Sequence, residues 1–118
     1  MSRKVIDLLF SSTGSRKAVA FPVKAVYYID NVREESAVPA VRVLMSVPKR
    51  YFKHAVDRNR VKRQLREAYR LNKNLLTSAV PEGKSVSVAF VFLSDRHWSS
   101  AEITARVVSL LMRISKEL

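Results

Sequence analysis

Residues 86–93 limit the possible folds more than any other stretch. Val86, Val88, Phe90 and Phe92 alternate there with Ser87, Ala89, Val91 and Leu93. Both sets are mostly apolar, so neither face of the predicted strand suits water and each face needs a cover. A chain of 118 residues can build that arrangement in one domain spanning 1–118, with a sheet as one layer and helices as the other.

The remaining elements are read from period and punctuation. Val5, Ile6, Leu9 and Phe10 recur at helical spacing and predict a short helix over 4–10, ended by turn residues at 11–15. Residues 21–29 are rich in β-branched and aromatic side chains and predict a strand. The polar stretch 30–39, with Glu34 and Glu35, predicts a hairpin connection. Val41, Val43, Met45 and Val47 alternate with Arg42, Leu44 and Ser46 in a second strand that Pro48 stops. A helix is predicted from about 55 to 79, before the breakers Pro81, Glu82 and Gly83. The last helix opens with Ser99-Ser100-Ala101-Glu102, a capping box, and continues with Ile103, Val107, Leu110, Leu111 and Ile114 on one face. Trp98 stands where a hydrophobic staple packs against that helix. The order helix–strands–helix–strand–helix predicts an α+β class, a small α/β sandwich with helices on a mixed sheet.

Charge then says what such a fold would meet. Lys and Arg number 22 against 10 Asp and Glu, a net of +12. A surplus of this size repels itself, and a polyanionic partner relieves it. There is no cysteine, which excludes disulfides, thiolate metal sites and thiol catalysis. No apolar run is long enough to span a bilayer, and Asp7 interrupts the short apolar start, which does not read as a secretory signal.

Residues 49–73 hold ten cations, Lys49, Arg50, Lys53, Arg58, Arg60, Lys62, Arg63, Arg66, Arg70 and Lys73, against Asp57 and Glu67 alone, a local surplus of eight out of twelve. On a helix advancing about 100° per residue, Val61, Leu65, Ala68, Tyr69, Leu75 and Leu76 share one side. Asn59, Arg63, Arg66, Arg70 and Lys73 share the other, flanked by Arg60 and Lys62, with Arg58 at the edge of the apolar face. A merely solvated face mixes signs to form i,i+4 pairs, and this one lacks the acids. Its cations also crowd the helix start, where the partial positive charge of the backbone disfavours them and favours an anion. Arginine outnumbers lysine, which suits bidentate phosphate contacts.

The ordered run 55–70 resembles the signature of the bacterial ribonuclease P protein family. Arg58-Asn59-Arg60, Lys62-Arg63 and Arg66-Glu67-Ala68 match that family's pattern position by position. Ser46-Val47-Pro48-Lys49-Arg50 is similar to its strand-end motif, with Pro48 and Arg50 as departures. The resemblance implies the sandwich fold with a left-handed βαβ crossover. It implies a partner RNA that hydrolyses the phosphodiester with Mg²⁺, and removal of the 5′ leader from precursor tRNA. It implies RNA contacts from Lys49, Arg50, Lys53, Arg58, Asn59, Arg60, Lys62, Arg63, Arg66 and Arg70, and leader contacts from Phe10, Phe21 and Lys24. Ile6 and Lys24 stand where the resemblance would place aromatics, and the N-terminus is shorter than the family's and lacks its basic lead-in before the first helix. The expected setting is the cytoplasm, with neither membrane nor DNA as partner.

Rival readings are weighed on residues. A structural RNA-binding protein of ribosomal type shares the charge and the helix, and remains the alternative. A helix-turn-helix DNA binder needs a second helix where Pro48 and a strand stand. A membrane-surface helix needs apolar anchors bulkier than Val61 and Ala68. A self-sufficient nuclease needs paired carboxylates or an acid–base histidine. Glu34-Glu35 is the only adjacent acidic pair, in an expected turn, and His54 and His97 read as isolated surface or cap residues. No residue is expected to be catalytic, and no protein-bound metal or organic cofactor is expected.

Overall fold

The computed structural model describes residues 15–31, 41–81 and 83–118, with only the backbone of Asp30 and Asn31. The predicted helix at 4–10, Phe10 and the Glu34-Glu35 pair lie outside these residues. In chain order the elements are β1 (Arg16–Ala20), β2 (Val23–Asn31), β3 (Val41–Ser46), α1 (Ala55–Asn72), the single-turn α2 (Asn74–Thr77), β4 (Lys84–Phe92) and α3 (Ser100–Ser115).

The four strands form one mixed sheet in the order β1-β2-β4-β3. β1 with β2 and β2 with β4 are antiparallel, while β3 and β4 are parallel neighbours joined through α1. The central place of β4 explains its double apolar pattern: Val86, Val88, Ala89, Phe90 and Phe92 are all fully buried. Register sorts the two faces. Ala25 pairs with Phe90 and Met45 with Phe90, on the face that carries the main core against α1 and α3. Val26 pairs with Ala89 and Leu44 with Ala89 on the opposite face, where Tyr28 completes a smaller cluster.

Five expectations are corrected. Strand β1 was not expected, because its charged start, Arg16-Lys17, hides the period-2 signal. The strand expected from Phe21 begins at Val23, since Phe21 and Pro22 form the turn between β1 and β2. The hairpin expected at 30–39 does not pair its flanking strands, because β4 is inserted between β2 and β3. The long central helix stops at Asn72, and α2 follows as a separate turn. Leu75, assigned to the apolar side, is 39% exposed there, while Leu76 is buried. Gly83, at φ +83, makes the turn into β4 that a side chain would strain.

The last helix is capped as its sequence predicts. Ser99 Oγ accepts from Glu102 N–H at 3.1 Å, and Ser99 N–H donates to Glu102 Oε1 at 3.4 Å. Ile103, Val107, Leu110, Leu111 and Ile114 face the core. At the far end Glu117 accepts from the Tyr27 hydroxyl and from Arg16 Nη1, the latter at 3.0 Å. No helix among the described residues is long and apolar enough to cross a membrane.

Burial, and then the hydrogen bond to Glu117, push the Tyr27 hydroxyl up to about 12 from its ordinary 10.0. Its contribution to stability is therefore complete below pH 10 and is lost as pH rises through about 12. Tyr27→Phe should make the fall in melting temperature across that window shallower, as followed by circular dichroism. An unchanged slope would refute the linkage.

Candidate nucleic-acid interface

The position of α1 is set by Val61, Leu65 and Ala68, which are buried against the sheet and α3. Its helical spacing then fixes everything else. Asn59, Arg60, Arg63, Arg66 and Arg70 are exposed, and Lys62 is half-exposed. None of Asn59, Arg60, Lys62, Arg63 or Arg66 is bonded to a carboxylate of the described residues. Arg70 differs: its Nε donates to Glu67 Oε2 at 3.0 Å, and that bond holds the Glu67 carboxyl below the usual carboxylate range. Exposed pairs of this kind contribute little to stability, so Arg70 can exchange its partner for a phosphate at small cost.

The start of α1 is built without a side-chain cap. His54 occupies the cap position with no such bond. Arg58 turns back instead, its Nη1 donating to the carbonyl oxygens of Phe52 and Lys53, each at 2.8 Å. Arg58 thus leaves the outward face and fastens the 47–53 segment, with exposed Lys49, Arg50 and Lys53, beside the helix. Asp57 accepts from His97 Nε2 at 3.0 Å, and the His97 ring stacks on Phe52 at 4.9 Å. His97 is therefore not the isolated residue the sequence suggests; it joins the helix start to the segment after β4.

The two flanks of α1 differ. On one, Gln64 Nε2 donates to the Trp98 carbonyl at 3.1 Å and to Ser100 Oγ at 3.2 Å. On the other, Lys62, Arg66, Tyr69 and Arg70 line a groove of about 540 Å³ with Val43, Leu44 and Met45 of the edge strand β3. Sequence reasoning placed the cations but missed this groove; the signal was the i, i+4, i+7, i+8 spacing of those four residues. The suggested leader contacts are not brought together. Lys24 follows the register of the face away from the helices, opposite Val91 and Val19. Phe21 sits in the turn, with its ring edge 5.9 Å from Trp98 on the helix side. Among the described residues no group of three or more His, Cys, Asp or Glu is placed to hold a metal.

These features define a class: a small α+β protein that turns one arginine-rich helix side outward, with too few acids to satisfy it. Comparison with known proteins gives the particular family. The family model for ribonuclease P matches residues 4–115. The ribonuclease P protein component of Porphyromonas gingivalis is 38% identical over 104 residues, covering 86% of this chain and 74% of that protein. The component from Chlorobium phaeobacteroides is 34% identical over 116 residues, covering 92% and 78%. Solved structures share the fold: the Staphylococcus aureus RNase P protein has a TM-score of 0.69 at 14% identity, covering 98% of this chain and 93% of that one. The Thermotoga maritima RNase P protein has 0.64 at 18%, covering 94% and 92%. The chain belongs to the ribonuclease P protein family. It is thus a subunit of an endoribonuclease, and the ribosomal-type alternative is not favoured.

Arg58 and Arg63 should separate cleanly in a urea unfolding series. Arg58→Ala removes two charge-assisted bonds to carbonyls and should cost about 1–3 kcal/mol. Arg63→Ala touches an exposed side chain and should stay within about 0.5 kcal/mol of the parent. Equal losses would mean that Arg63 is structural.

Proposed function

We propose that this chain assists the 5′ maturation of tRNA by binding the catalytic RNA of ribonuclease P through α1 and the 49–53 segment. The observation that carries this reading is the exposed set Asn59, Arg60, Arg63 and Arg66, which has no carboxylate partner among the described residues. Guanidinium groups spaced along one helix side match the repeating charge of a phosphodiester chain. Asn59, with both donor and acceptor on its amide, suits a base edge or a ribose hydroxyl. Arg58 contributes by holding the loop in place, and Lys49, Arg50 and Lys53 extend the cationic surface beyond the helix start.

The precursor tRNA leader is assigned to the sheet face away from the helices. Lys17, Val26, Ala89 and Leu44 form one row of that face by register, beside Lys24 and Val91 on one side and Tyr28, Ser87 and Arg42 on the other. A cationic, partly aromatic strip of this kind suits a single strand. Phe21 falls outside it. Mg²⁺ is assigned to the RNA, whose phosphate oxygens are the hard ligands this ion prefers. The protein's share of the reaction is positioning, and the cytoplasm is the proposed setting.

Adding the chain to its matching catalytic RNA should accelerate leader removal at low Mg²⁺, while the protein alone should cut nothing. Robust cleavage by protein alone would end the proposal. Affinity for that RNA should drop about 10³-fold or more between 50 and 200 mM salt if six or more phosphates are held. A shallow slope would count against a phosphate-dominated interface.

A further inference from the structure

One sequence cluster, Asp95-Arg96-His97-Trp98, is not absorbed by the helix interface. The topology explains where it goes. β3 and β4 run parallel, so their carboxyl ends lie together, and the antiparallel pairing of β2 puts the β1–β2 turn at the same end. Three connections therefore converge there: the turn with Phe21 and Pro22, the 47–54 segment, and the 93–99 segment. Leu93 N–H donates to the Pro22 carbonyl at 2.7 Å, tying two of them together. Crevices outside the carboxyl ends of sheet strands are favoured places for ligands.

At this end Trp98 is half-buried and fixed by four contacts. Its Nε1–H donates to buried Ser94 Oγ at 3.0 Å, and its carbonyl accepts from Gln64 of α1. The Arg96 guanidinium lies over its ring, 4.1 Å from the centroid. Phe21 meets it edge-on at 76°. Phe21 itself is 56% exposed and is the only aromatic among the strongly exposed large apolar side chains of the described residues. Arg106 Nε donates to the Phe21 carbonyl at 2.9 Å, which brings a further guanidinium to the turn.

We propose that Phe21, Trp98 and Arg96 form a stacking platform for an unpaired nucleotide of RNA, contiguous with the start of α1. This rests on the RNA-binding reading above and adds to it a second, base-directed contact. A fixed ring lets a base stack without first ordering the protein, and every base has a face to offer. Arg96 supplies a planar cation beside the base, and Arg106, bonded to the same turn, and Arg60, one helical turn before Gln64, are placed for the adjoining phosphates. Three acids lie nearby, Asp57 bonded to His97, Glu102 in the helix cap and exposed Asp95 beside Arg96, and the cations at this end, Lys49, Arg50, Lys53, Arg60, Arg96 and Arg106, outnumber them. Charge complementarity thus favours a nucleic acid strand over an acidic-poor or apolar partner.

Trp98 is the chain's single tryptophan, so its fluorescence reports on the platform directly. A short oligouridylate should quench it, and a blunt RNA duplex of the same length should not. Phe21→Ala should weaken oligouridylate binding about 5- to 100-fold, and Phe21→Tyr should restore it. The same signal read with catalytic RNA alone, then with holoenzyme and precursor or mature tRNA, assigns the source. Quenching by the RNA alone places a nucleotide of that RNA on the platform, and quenching that needs the leader places a leader nucleotide there. Equal quenching by duplex, or wild-type oligouridylate affinity in Phe21→Ala while catalytic RNA still binds, would overturn the platform alone. Failure of both proteins to bind catalytic RNA would overturn the platform and the RNA-binding reading together.

Discussion

The seating of α1 against the sheet governs the rest of the molecule. β3 and β4 are parallel neighbours, so the chain must leave one end of the sheet and return to the other, and α1 makes that crossing. It has one apolar side, Val61, Leu65 and Ala68, and those residues are essentially inaccessible to water. Rolling the helix by one residue would bring Lys62 or Arg66 into a core that has no partner for them, at a prohibitive desolvation penalty. The outward position of Asn59, Arg63, Arg66 and Arg70 is therefore a consequence of packing. No separate interaction has to hold them there.

The acids complete this picture, because among the described side chains all but exposed Asp95 are occupied. Asp57 is bonded to His97, Glu102 caps α3, and Glu117 accepts from Tyr27 and Arg16. Asp57 and Glu117 each tie two pieces of structure together, and only Glu67 lies on the basic side of α1, paired with Arg70. Among the described residues, Asp57, Glu102 and Glu117 serve the fold, and Glu67 alone offsets the cations on the basic side of the helix. Such a surface raises the energy of the isolated protein and lowers it again in contact with a polyanion.

Much of this was legible beforehand because it depends on period alone. The apolar and basic sides of α1, the capping box at Ser99 and the doubly buried β4 all follow from spacing along a single element. What was hidden depends on which elements become neighbours. The insertion of β4 between β2 and β3 is a long-range pairing, and the polar stretch at 30–39 looks the same with or without it. The Asp57–His97 bond joins residues 40 positions apart. The angle of Arg58 on the helix puts it at the edge of the apolar face, yet the carbonyls that receive it belong to a loop whose path no pattern reports. Phe21 and Lys24 are three residues apart and seemed one site, but a turn and the strand pleat send them to opposite sides of the sheet.

The distribution of charge along the sheet adds direction to affinity. Both long helices begin at the end where the three connections meet, and each helix start carries partial positive charge. Lys49, Arg50, Lys53, Arg60 and Arg96 reinforce that sign at the same end. The start of α3 is offset by its own Ser99 and Glu102, whereas α1 has no side-chain cap and one acid, Asp57, engaged by a histidine. At the opposite end the negative terminus of α3 lies near the Arg16–Glu117 pair, where the signs are mixed. Cations also stand at the opposite end, at Arg16, Lys17, Lys73 and Lys84, so the uncapped start of α1, and not a one-ended surplus of side-chain charge, is what orients an approaching polyanion. Steering of this kind acts on the rate of encounter and on orientation, and it weakens with salt in step with the phosphate contacts themselves.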